Sequence, residues 1–140
     1  MLVYFAGPLF TPYERGFIDE CAERLRAEGF EVFVPHEKVL ATEGLGSDEI
    51  FRLDGEAVAA AEVLVALLDG PSIDDGTACE IGLFHGLARS DPRKRGVIGL
   101  ATDFRGGLNL FVRGCIEADG ELCGSLDEVV AALKRRAGQA

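Results

Sequence analysis

Four stretches hold the side chains able to do chemistry. The first is Tyr4-Phe5-Ala6-Gly7-Pro8-Leu9-Phe10, where an apolar run stops at a glycine and a proline. Gly7 lacks a side chain, so backbone there can approach a ligand closely. The second is Phe51-Arg52-Leu53-Asp54. The third, Asp69-Gly70-Pro71-Ser72-Ile73-Asp74-Asp75-Gly76-Thr77-Ala78-Cys79-Glu80-Ile81-Gly82, crowds acidic and small residues together. The fourth is Gly106-Gly107-Leu108-Asn109. Paired carboxylates without a Ser–His couple, metal-ligand spacing or phosphate cradle point to glycosidic-bond chemistry. One carboxylate attacks the anomeric carbon, and another acid assists the leaving group.

Each of these residues also has an ordinary structural reading. Asp74 and Asp75 suit the start of a helix, where a carboxylate meets unpaired amides and the positive end of the helix dipole. Asn109 suits a helix N-cap, and Asp54 suits a solvated helix face. Glu80 lies one turn into its helix, between Ala78 and Ile81-Gly82-Leu83-Phe84. A carboxylate there is either a solvated helix residue or a pocket group. His36, after Pro35, and His85, within a helix, read as surface or packing residues.

Short apolar runs alternate with helical patterns, and this alternation must position the four stretches. Strands are expected at Leu2–Phe5, Phe30–Val34, Val63–Leu68, Val97–Leu100 and, more briefly, Glu121–Cys123. Helices are expected at about 12–28, 48–61, 77–89, 108–118 and 126–136. Phe17, Ile18, Cys21, Ala22 and Leu25 carry the helical spacing of the first, and Gly29 stands where its C-terminal cap belongs. Ser47 or Asp48 would cap the second, and residues about 36–47 read as a loop. Val63-Leu64-Val65-Ala66-Leu67-Leu68 is apolar throughout, as expected of a strand covered on both faces. The order predicts one α/β domain over residues 1–140: a mostly parallel sheet with right-handed crossovers and helices on both faces. Ligands bind such sheets at the carboxyl ends of the strands.

Composition narrows the function classes. The chain has 140 residues, enough for a core, and a formal charge of −10. A surface that acidic repels phosphate backbones and anionic lipid, so neither nucleic acid nor membrane is an expected partner. No dinucleotide fingerprint or P-loop occurs. Cys21, Cys79, Cys115 and Cys123 form no CxxC pair, so no metal site and no cofactor is expected, and four reduced thiols suit a cytoplasmic protein. The segment MLVYFAGPLF has neither the basic flank of a signal peptide nor the length of a membrane span.

Taken together, the motifs resemble the nucleoside 2-deoxyribosyltransferase family. Tyr4 to Phe10 resembles its opening motif, and Asp74 to Gly82 matches its D-x-G-T-x-x-E-(I/L)-G segment. Leu53-Asp54 stands eight residues before Glu62, where the family shows an aspartate ahead of the third strand. Leu108-Asn109-Leu110 resembles its later asparagine motif. The four matches run in family order from residue 4 to residue 110.

The resemblance implies a flavodoxin-like, doubly wound parallel sheet of five strands and a retaining, two-step transfer of 2-deoxyribose between nucleobases. It places Glu80 on the nucleophile, Tyr4 on the tyrosine that orients it, and Asp54 on the acid at the base. It implies substrate contacts from Gly7, Pro8, Phe10, Asp74 and Gly76, and from Asn109 of a neighbouring subunit. The expected partners are 2′-deoxynucleosides and nucleobases, and the expected assembly is a homo-oligomer, a dimer or a set of dimers, with shared sites. The first-strand motif is shared with hydrolases of 2′-deoxynucleoside 5′-monophosphates, the alternative reading. Arg105 and Arg15 are its candidate phosphate ligands, although each equally suits a surface contact. Thr102-Asp103-Phe104-Arg105 has no role assigned by the resemblance.

Overall fold

Residues of β1 (Leu2–Ala6) alternate between two faces, and this decides where the site lies. Val3 and Phe5 face one hydrophobic cluster, while Tyr4 and Ala6 face the other. The computed structural model describes residues 1–41, 44, 46–102 and 107–139, without the side chains of residues 39–41. The segment 103–105 and its Arg105 therefore lie outside the described residues.

The remaining elements follow in chain order: α1 (Pro12–Ala27), β2 (Glu31–Phe33), α2 (Pro35–Ala41), α3 (Ser47–Ala60), β3 (Val63–Leu67), α4 (Asp75–Ala88), β4 (Val97–Leu100), α5 (Leu110–Glu117), β5 (Glu121–Cys123) and α6 (Leu126–Ala137). The five strands form one parallel sheet in the order β2-β1-β3-β4-β5. This is the doubly wound, flavodoxin-like arrangement, α/β with helices on both faces. Ile18, Cys21 and Leu25 of α1 and Val129 and Leu133 of α6 cover one face. Val58 of α3, Ile81 and Phe84 of α4 and Ile116 of α5 cover the other. β3 is central and every residue in it is buried, which explains its unbroken apolar run. Each of its valines and leucines contributes about 1.5–3 kcal/mol by leaving water.

Strand order reverses between β1 and β3, which pair in register Tyr4↔Leu64 through Ala6↔Ala66. The crevice at such a reversal, beyond the carboxyl ends of the strands, is the natural ligand site. Gly7 leaves β1 at that point. A Cβ on Gly7 would lie 2.7 Å from Ile18 Cδ1 and 3.2 Å from Leu67 Cβ. Close packing of α1 on the sheet thus accounts for this glycine.

The structure corrects several expectations. Residues 35–41 form a helix where a loop is expected, because Pro35 occupies the first helical position, where its missing N–H costs nothing. The N-cap of α3 is Gly46, not Ser47 or Asp48, and no side chain caps it. The fourth helix starts at Asp75 rather than Thr77, with Asp74 as its cap. The fifth starts at Leu110 because Asn109 caps it as expected. Gly29 does follow α1, at φ +89°. All four cysteines are free thiols, three of them buried. Among the described residues no helix is long and apolar enough to cross a membrane.

Candidate active site

Tyr4 is fully buried, its ring stacked on Phe33 with centroids 5.5 Å apart and planes at 17°. A buried phenol needs a polar partner. The Tyr4 hydroxyl donates to Glu80 Oε1 at 2.5 Å. Glu80 reaches it because Thr77, Ile81 and Phe84 are the buried residues of α4, and position 80 borders that face. The chain brings together groups 76 positions apart.

The surroundings change what these groups can do. Burial pushes the Glu80 carboxyl up to about 7; the Tyr4 hydrogen bond opposes this, and the charges of Asp54 and Asp74 add to it. Burial first, then the Glu80 charge, raises the Tyr4 hydroxyl above its ordinary range, so it remains a donor. Asp54, half-buried on α3, is raised by burial. The Glu80 carboxyl thus feels two further carboxylates at a site where α3 and α4 meet β1. Like charges of this kind make a carboxyl hold its proton more tightly.

Asp74 joins this buried end to an open cleft. Its Oδ2 accepts the Thr77 amide at 2.9 Å and the Thr77 hydroxyl at 3.1 Å, capping α4. A Cβ on Gly76 would lie 3.1 Å from the same oxygen. The cleft, about 460 Å³, lies between the loop after β1, with Pro8 and Phe10, and the loop after β3, from Asp69 to Asp75; Glu14 of α1 completes its wall. Pro8, Phe10 and Asp74 therefore line the cleft. Buried Tyr4 and half-buried Asp54 and Glu80 form the cluster beside it.

Asn109 sits exposed at the start of α5, where its Oδ1 accepts the amides of Phe111 at 2.9 Å and Val112 at 3.3 Å. His36 is buried, with Nε2 2.8 Å from Asp19 Oδ1, and His85 Nδ1 stands 4.0 Å from Asp119 Oδ2. Both serve packing or surface contacts. Arg15 Nη1 donates to the Leu9 carbonyl at 2.7 Å and steadies the first loop. Thr102 donates its amide to Asp69 Oδ1 at 2.7 Å and its hydroxyl to Asp69 Oδ2, tying the ends of β3 and β4 together. Among the described residues, no three His, Cys, Asp or Glu side chains converge to hold a metal ion.

Three further residues shape this region, and pattern alone assigns none of them to the site. Phe33 is the platform for Tyr4, and only the sheet register Tyr4↔Phe33 reveals it. Asp69 stands at a strand end among other acids. Glu14 does carry a signal, the capping-box spacing Thr11-Pro12-Tyr13-Glu14.

The comparisons with known proteins agree with this fold. A conserved protein from Enterococcus faecalis V583 superposes with a TM-score of 0.84 at 28% identity, over 97% of this chain and 98% of that one. A 2-deoxyribosyltransferase from the psychrotolerant bacterium Bacillus psychrosaccharolyticus gives 0.73 at 24% identity, over 93% and 90%, a likeness of fold. The CMP N-glycosidase of Clostridium botulinum gives 0.63 at 19% identity, over 96% and 98%, a likeness of fold alone. No curated protein sequence is a significant match. The nucleoside 2-deoxyribosyltransferase family model matches residues 3–122, and the chain belongs to that family.

Proposed function

We propose that this chain is an enzyme of the deoxyribosyltransferase and N-glycosidase group that transfers 2-deoxyribose from one nucleobase to another. The observation that carries the reading is the 2.5 Å contact between the Tyr4 hydroxyl and Glu80 Oε1, in a cluster with Asp54 and beside the cleft. Family membership supports the reaction class.

In the first half-reaction, ionised Glu80 attacks C1′ of a 2′-deoxynucleoside. A Glu80–C1′ ester bond forms as the C1′–N bond breaks, and the bonding pair goes to the base nitrogen, which takes a proton from Asp54. In the second, an incoming base attacks C1′, gives its proton to Asp54 and releases Glu80. Two inversions leave the anomeric configuration unchanged. The transition state resembles an oxocarbenium ion, which the Glu80 anion stabilises from below. Tyr4, holding Oε1, fixes the carboxylate and leaves Oε2 to attack. It also fills space near C2′, consistent with a sugar lacking the 2′-hydroxyl. Asp74, on the cleft wall, takes sugar hydroxyls in this reading.

The proposal extends to assembly. Leu110 and Phe111 beside Asn109 are 83% and 81% exposed, and their burial against a second copy would carry Asn109 to the neighbour's site. Asn109 uses its oxygen for the cap, which leaves its Nδ2 hydrogens for a substrate hydroxyl. A reducing, cytoplasmic setting suits the free thiols.

The test is base exchange. Incubation with deoxyinosine and adenine is expected to yield deoxyadenosine and hypoxanthine. Free base with deoxyribose 5-phosphate, formed only from a 5′-monophosphate, would replace transfer by hydrolysis.

A further inference from the structure

We propose that Glu14 makes this site select against a 5′-phosphate, confining it to uncharged 2′-deoxynucleosides. The inference rests on the reading of the site above and names its specificity residue.

The first amides of a helix at the carboxyl edge of such a sheet are a ready place for a phosphate. Here α1 begins there, directly after the loop that lines the cleft. Two amides that lead into α1 and one in its first turn are already taken. Glu14 Oε2 accepts the Phe10 amide at 3.0 Å and the Thr11 amide at 2.7 Å, while Thr11 Oγ1 accepts the Glu14 amide at 3.2 Å. The protein's own carboxylate thus sits where an anionic substrate group would bind.

The rest of the wall reinforces this. Asp69, Asp74 and Asp75 line the same cleft, and its described lining holds no lysine or arginine. A neighbouring hollow that shares Pro8, Glu14, Asp69 and Gly70 is lined additionally by Tyr13, Phe17, Leu67 and Thr102, again without a cation. Arg15, the next residue of α1, donates to the Leu9 carbonyl and lines neither hollow. With C1′ at Glu80 and the sugar hydroxyls at Asp74, which links the cluster to the cleft, the proposed pose turns the 5′ carbon toward this acidic wall. A neutral hydroxyl can donate a hydrogen bond to a carboxylate there, whereas a phosphate meets like charge.

The experiment measures base release from deoxyadenosine and from deoxyadenosine 5′-monophosphate, as the ratio of kcat/KM values, for wild type, Glu14→Gln and Glu14→Ala. Glutamine keeps an acceptor for the two amides and removes the charge; alanine frees the amides as well. The expected wild-type ratio favours the nucleoside. It falls about tenfold in Glu14→Gln, the effect of one close like charge partly screened by water, and further in Glu14→Ala. Raising the salt concentration is expected to narrow the wild-type ratio more than that of Glu14→Gln. A wild type that prefers the monophosphate, or a ratio unmoved in a folded Glu14→Gln, overturns the inference while leaving the site intact. A wild type that cleaves neither substrate overturns the functional reading itself, and this inference with it.

Discussion

The Tyr4 hydroxyl donates to Glu80 Oε1 at 2.5 Å, and this one bond opposes the burial that lifts the Glu80 carboxyl to about 7. Its removal has a definite sign. Tyr4→Phe deletes a donor to the ionised carboxylate, so Glu80 must titrate higher. The acid limb of the kcat/KM profile, on which the nucleophile ionises, is expected to move to higher pH. Activity at pH 7 is expected to fall about ten- to a hundredfold, in the range of a single positioned proton donor. A pH–rate series on both proteins checks this, and an acid limb that stays put or moves down contradicts it.

Glu80 carries a stability cost that Glu80→Gln would reveal. Because its folded carboxyl sits near 7 rather than 4.5, folding favours the protonated form. The stabilisation from this proton is complete below the unfolded value and is lost as pH rises through about 7. A glutamine never ionises and escapes that loss. The variant is expected to gain stability relative to wild type between pH 5 and pH 8, by at most about 3 kcal/mol. Urea unfolding at the two pH values measures it. A stability difference that does not change with pH argues against an anion forced into a buried place.

Asp54 is assigned to the leaving base, and chemistry can bypass that duty. An N7-methylated purine leaves as a neutral base without accepting a proton. Asp54→Asn is expected to lose about a hundredfold or more on deoxyadenosine and little on the methylated analogue, by the usual size of a general-acid contribution. Equal losses on both substrates would give Asp54 a positioning role instead.

Asn109 separates shared from self-contained sites. Glu80→Ala and Asn109→Ala are each expected to lose most activity. Mixed and reassembled, they form hybrids in which one site combines an intact Glu80 with the other subunit's intact Asn109. Random pairing into two-site dimers should restore about a quarter of wild-type activity. No recovery on mixing, with hybrid formation verified, means that Asn109 does not act across subunits.

How far the sequence discloses this fold varies from element to element. β3 is plain in the run Val63-Leu64-Val65-Ala66-Leu67 because a strand buried on both faces admits no polar residue. The helix α2 is hidden because Pro35 both stops a strand and starts a helix, and nothing local separates the two uses. Asp74 and Asn109 read as helix caps and are helix caps. Glu80 is undetermined by pattern, since a carboxylate one turn into a helix looks the same whether water or Tyr4 receives it. Its setting depends on contacts across 76 positions, which local periodicity does not carry. Glu14 shows the reverse case: its capping box is legible, but that the capped end borders the cleft emerges only when α1 packs on the sheet.

The most direct measurement is the mass of the protein after incubation with a 2′-deoxy-2′-fluoroarabinosyl nucleoside. Fluorine at C2′ destabilises the cationic transition states and slows release of the sugar. Peptide mapping is expected to find one fluorosugar esterified to Glu80, displaced on adding a nucleobase and absent in Glu80→Ala. Base release from the same substrate with unmodified protein throughout, or a sugar attached to any other side chain, would contradict a covalent role for Glu80.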